Sequence, residues 1–252
     1  MAITVASSSQ AAFDSSPPLV ITAPSGIQTG DLLVMVIGGT SNTNAYSCSG
    51  WTSRAYDGTG GESIAIYTKT AVLADESATD YTWAVSDSEI TWGIMLRVTG
   101  WDSSDTLALA SAQDSDTGAF TTMDLTPTVA NSLIIFGAWQ YNNGGSDTIS
   151  GYAIATSNPS WTEAQEVTGA FSRGNSAVAW AVRPEITSTG DFSVTDVGFM
   201  QGAALVIKPL VTPDINLSDQ SNITENLNMT EIHNPKLDGS DDVGIKRSPF
   251  VF

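Results

Sequence analysis

Short apolar runs separated by Gly, Ser, Thr, Asn and Asp recur about every 8–15 positions over the first 210 residues. That spacing predicts an all-β sandwich or barrel. LLVMVIG (Leu32 to Gly38) and LIIFGAW (Leu133 to Trp139) are unbroken apolar runs, which predicts central strands covered on both sides. SIAIYTKT (Ser63 to Thr70) and YTWAVS (Tyr81 to Ser86) alternate, as strands with one wet face do, and FSVTDV (Phe192 to Val197) answers YTWAVS later in the chain. GIMLRVT from Gly93 and GAALVIKP from Gly202 read as closing strands, the second stopped by Pro209. Gly38-Gly39, Gly60-Gly61, Gly118 and Asn142 to Gly145 read as turns or loop tips. No window sustains apolar residues at i, i+3, i+4 and i+7, so almost no helix is expected beyond a short turn near 71–77 or 163–166.

The pattern occurs twice. GDLLVMVIGG from Gly30 matches NSLIIFGAWQ from Asn131, and Gly50-Trp51-Thr52 matches Ser160-Trp161-Thr162. SIAIYTKTAVL from Ser63 matches SAVAWAVRPEI from Ser176, and GIMLRVTG from Gly93 matches GAALVIKP from Gly202. The offsets are 101, 110, 113 and 109 residues, so insertions fall between the shared segments. A unit of about a hundred residues written twice speaks of architecture, because both copies bury the same faces. The copies part company over residues 140–160, where the second carries the longer loop YNNGGSDTISGYAIATSNPS. No Pro-rich spacer separates the copies between Trp101 and Asp124, which suggests that they pack closely.

After Leu210 the composition turns to Asn, Asp, Ser and Thr with isolated aliphatics, too sparse for an independent core. Ile215, Leu217, Ile223, Leu227, Met229 and Ile232, with Phe250 and Phe252 in the terminal SPFVF, then read as anchors of a docking arm. The charge narrows the partners further. Twenty-seven acidic residues face nine basic ones, a formal net charge of −18, which disfavours nucleic acid and anionic lipid as partners. No apolar stretch reaches bilayer-spanning length, and MAITVASSSQ lacks the charged and apolar regions of a signal peptide, so cytoplasmic folding is expected.

Candidate chemistry is thin, and neither a catalytic nor a cofactor site is expected. Cys48 and His233 are the sole residues of their types, and no G-x-S-x-G elbow accompanies them. Glu62, Glu89, Glu163 and Glu166 are the candidates for paired carboxylates. In a regular strand, however, Glu163 and Glu166 fall on opposite faces, and solvated surface acids are the simpler account. Asp114 with Asp116, and Asp238-Gly-Ser-Asp241-Asp242, could offer oxygens to calcium, but no EF-hand loop is present and no metal site is expected. The sequons at Asn216, Asn222 and Asn228 read as composition. Of seven tryptophans, Trp51 and Trp161 hold equivalent places in the two copies and are expected to plug the core. Trp92, Trp101 and Trp139 lie near loops and are the candidates for exposed contacts with a glycan.

The paired phrases GDLLVMVIGG, SIAIYTKTA and GIMLRVTGWD, answered by SLIIFGAW, SWTE, AVAWAVRP and AALVIKP, resemble the repeated β-sandwich modules of tailed-bacteriophage structural proteins. The likeness covers roughly residues 1–210, and NLSDQSNITENLNMTEI is similar to the linker-like ends of phage minor structural proteins. It implies two tandem jelly-roll-like sandwiches, residues 1–103 and 104–210, followed by an extended C-terminal arm at 211–252. The implied role is non-enzymatic: a capsid-surface decoration, a fibre or a tail-associated protein, assembled into the virion in the host cytoplasm. The implied partners are other virion proteins and further copies of the chain. The alternative is a glycan-binding module for attachment to a host surface.

Overall fold

Among the described residues, two sets of eight strands make up the fold. The first comprises β1 (Thr4–Phe13), β2 (Leu19–Thr22), β3 (Leu32–Gly39), β4 (Tyr46–Ser47), β5 (Thr52–Asp57), β6 (Ser63–Thr70), β7 (Asp80–Val85) and β8 (Thr91–Thr99). The second comprises β9 (Ala110–Ser115), β10 (Ala119–Phe120), β11 (Ser132–Tyr141), β12 (Ser150–Ile154), β13 (Thr162–Val167), β14 (Gly174–Arg183), β15 (Phe192–Thr195) and β16 (Met200–Ile207). This computed structural model describes residues 2–13, 18–41, 45–86, 90–115, 119–141, 149–167, 174–195 and 200–211. Among them the one helical element is a 3-10 turn, Leu73–Ser77. Its Asp75 carboxylate accepts hydrogen bonds from Lys69 Nζ at 2.6 Å and Tyr81 OH at 2.9 Å.

The strands form four antiparallel sheets. β1-β8-β3-β6-β5 is backed by β2-β7-β4, and β9-β16-β11-β14-β13 is backed by β10-β15-β12 when both second-half orders are read from the matching edge. Adding eight to every label of the first pair gives the second. In the first half the pairs β1/β8, β2/β7 and β3/β6 nest, so the chain is a long hairpin wound across two layers. β5 departs from that winding by pairing with β6 in the larger sheet. Both fifth strands carry a bulge at the same place, at Arg54 between Ser53 and Ala55 and at Ala164 between Glu163 and Gln165.

The ladders correct one sequence offset. Leu32 pairs with Thr70, and its counterpart Leu133 pairs with Val182, so β6 and β14 correspond at 112 residues and not at 113. A slip of one residue exchanges the two faces of a strand. With 112, Ile66 and Val178 match, and both lie in the same core.

That core lies between the two five-stranded sheets, which pack face to face. It takes Val34, Val36, Ile64, Ile66, Trp92 and Ile94 from the first half and Leu133, Ile135, Trp139, Val178 and Leu205 from the second. Two further cores fill the space under each small sheet, one around Met35 and Trp83 and the other around Phe136 and Phe192. Because each large sheet has a core on both sides, β3 is buried along its whole length, as the unbroken apolar run predicts. SIAIYTKT departs from expectation: Ser63 to Ile66 are all buried, for the same reason.

Across this seam β1 packs on β13, β8 on β14, β6 on β16 and β5 on β9. Exchanging each strand for its counterpart reproduces the same set of contacts, so the two halves are related by an approximate two-fold with β3 and β11 at its centre. Val36 and Gly137, counterparts at offset 101, meet there: a Cβ on Gly137 would lie 2.6 Å from Val36 Cγ1. The Gly38-Gly39 pair, read as a turn from sequence, ends β3 instead. Gly38 leaves room for the Trp92 ring, whose indole nitrogen would be 2.9 Å from a Cβ at that position.

Candidate functional site

The tryptophans proposed as exposed contacts are inside the protein. Trp92 and Trp139 are 0% exposed and Trp101 is 7% exposed. Trp92 and Trp139 stack across the seam with ring centroids 5.9 Å apart, tilted by 32°. Trp101 donates its indole N–H to the Gly30 carbonyl at 2.9 Å, and a β-bridge to Pro209 ties it to the end of the second half. Nearness to a loop in sequence misled here, because all three rings belong to the core between the two large sheets. Trp51 and Trp161 are half-buried, each packed on its own half's inner core. Cys48 lies beside Trp51 in that cluster, and burial raises its thiol pKa, which disfavours the reactive thiolate. Glu89, Asp116, His233, Asp238, Asp241 and Asp242, the three sequons and all eight proposed arm anchors lie outside the described residues.

Glu163 and Glu166 do come together. Ala164 is the bulged residue of β13, so Glu163 pairs with Ala179 and Glu166 with Ala177, two residues of one strand face. The alternation argument therefore fails at this strand, and both carboxyl groups share a side. Glu166 Oε1 accepts a hydrogen bond from the Ile149 N–H at 2.9 Å. Burial raises the Glu166 pKa and the amide contact opposes it; burial and then the charge of Glu166 raise that of Glu163. Tyr152, on β12, is 8% exposed with its hydroxyl unpartnered. Its phenol pKa is raised by burial first, then by the charges of Glu163 and Glu166.

These groups line the open edge of the second sandwich, where β12 ends the small sheet and β13 ends the large one. Trp161 completes the cluster, its ring 6.1 Å from that of Tyr152 and its N–H donating to Asn158 Oδ1 at 2.9 Å. Asn158 also lines an open cleft of about 610 Å³ with Pro159, Ser160, half-buried Trp180, Pro184 and Glu185. Half-buried Trp161 beside the carboxyl and amide groups can stack on a pyranose face and bond its hydroxyls. Two carboxyls on one strand, about 7 Å apart along it, approach a ligand from the same side. The first half has Ser53 and Tyr56 at the positions of Glu163 and Glu166.

A second polar locus lies at the seam, where Glu62 is 6% exposed and burial, followed by the charge of Asp114, pushes its pKa up to about 8. Among the described residues, no three His, Cys, Asp or Glu side chains converge as a metal cluster, and no helix is long and apolar enough to cross a membrane. No protein-family model matches the sequence, and no curated protein or solved structure matches it either.

Proposed function

We propose that the two halves are tandem copies of one jelly-roll-like unit, and that the chain is a non-enzymatic structural component of a bacteriophage virion. The role is that of a capsid-surface decoration, fibre or tail-associated protein, attached through residues 212–252. The nested strand pairs and the shared bulge support the duplication, and wound two-layer sandwiches of this kind recur in capsid and lectin domains.

The observation that carries the structural reading is the seam. Each half satisfies the other's apolar sheet face, and the outer faces of the small sheets present Thr22, Asp80, Thr82 and Thr195 to solvent. Such a body is a prefabricated block whose two large apolar sheet faces are already paired with each other. The compact unit ends at Thr212, so attachment falls to the sparse aliphatic and aromatic positions that follow. Removing residues 212–252 is expected to leave the thermal unfolding of the body unchanged and to abolish incorporation into particles. Normal incorporation of the truncated chain would refute the attachment role.

A second reading, attachment to a host-surface glycan, is favoured by the cluster of Tyr152, Trp161, Glu163 and Glu166 in the half that has diverged. A glycan array probed with the full chain should return hits that Trp161→Ala removes. An array without hits would set this reading aside and leave the structural one standing.

A further inference from the structure

The seam is closed at one edge by the turn that joins β5 to β6. Gly60 and Gly61 make this turn with left-handed φ of 71° and 95°. Gly60 lies so close to β9 that a Cβ there would be 3.2 Å from Asp114 Oδ2. Gln201 sits opposite Asp114 in the β16–β9 ladder and reaches across the seam. Its amide nitrogen donates to the carbonyl oxygens of Thr59 at 2.8 Å and Glu62 at 3.0 Å. The other end of that amide is the informative one. Gln201 is 1% exposed, and its Oε1 is buried without a hydrogen-bond partner.

A buried glutamate, an aspartate that adjoins the same turn and a buried amide oxygen without a partner thus lie together where the two halves join. Two carboxyl groups at one turn and a buried amide oxygen without a partner are all hard oxygen donors, and they suit a cation held between them.

We propose that the seam carries a calcium site formed by the carboxyl groups of Glu62 and Asp114 with the amide oxygen of Gln201, which clamps the β5–β6 turn of the first half onto β9 and β16 of the second. All of these donors are oxygens, the preference of a hard cation, and bidentate carboxylates with water can supply the six to eight ligands that calcium takes.

Terbium is the probe for the full 252-residue chain. The Trp92 indole nitrogen and the Ser63 carbonyl both crowd the space at Gly38, so an indole lies beside the residue that follows Glu62. Tryptophan excitation should therefore give sensitised terbium emission that saturates and that calcium suppresses, and calcium alone should raise the melting temperature. Glu62→Gln and Asp114→Asn are each expected to weaken calcium binding at least tenfold. Asp80→Asn, on the exposed face of β7, should leave it unchanged. Calorimetric titration of the parent chain with calcium reads the same site without any substitution, which keeps the proposal testable if either neutralised variant misfolds. Absence of saturable binding, or equal calcium affinity in the parent, Glu62→Gln and Asp114→Asn, would overturn the site.

Discussion

Val36 and Gly137 occupy the same place in the two large sheets and touch each other across the seam. One is large because the other is absent, so the approximate two-fold is kept by breaking sequence identity at its centre. Gly137→Val puts branched carbons into space that Val36 fills and should destabilise the fold by about 1–3 kcal/mol through overpacking. Adding Val36→Gly exchanges the partners about the two-fold and should recover most of that loss in chemical denaturation. A double variant as unstable as the sum of the two singles would remove the interlock. The same complementarity explains Gly38: a Gly-Gly pair reads locally as a turn, and its real constraint is the Trp92 ring from another strand. Sequence shows that Trp92, Trp101 and Trp139 sit near loops, but not that a second sheet packs over them.

At the level of the strand, most of the fold was legible. The unbroken runs at β3 and β11 lie at the centres of the five-stranded sheets, and YTWAVS alternates buried and exposed along β7 as its pattern implies. What was hidden turns on single residues of parity. The bulge at Ala164 brings Glu163 and Glu166 to one face, and Ala164 carries neither the Gly nor the Pro that would mark it. The offset between β6 and β14 was misread by one for a related reason. Both strands contain Ser-x-Ala-x or Ser-Ala-x-Ala phrases that align equally well in either register, and only the ladder to β3 or β11 selects between them. Pattern arguments thus locate a strand reliably and assign its faces only while the strand stays regular. The candidate glycan cluster sits where that regularity fails, in the half whose loops had already diverged.

For the whole molecule, the seam decides whether either half is a protein by itself. Residues 1–103 alone would leave Val34, Val36, Ile64, Ile66, Trp92 and Ile94 on an uncovered sheet face. A patch of that kind is a self-association site in a monomer. Because the native seam is isologous in layout, the isolated first half has a ready substitute in a second copy of itself. Expressed alone, residues 1–103 should therefore dimerise or precipitate. Co-expression with residues 104–211 should return a soluble one-to-one complex, read by light scattering after size exclusion. The homodimer should be the weaker of the two, since its centre would set Val36 against Val36 where the native seam has valine against glycine, and it would lack the Gln201 bonds to Thr59 and Glu62. A soluble, folded monomer of residues 1–103 would show that the outer core suffices and that the seam merely joins two finished domains. The interlocking of the halves predicts the opposite: the two large sheets share one layout, and the differences at Val36/Gly137 and Trp92/Gln201 make each the preferred partner of the other.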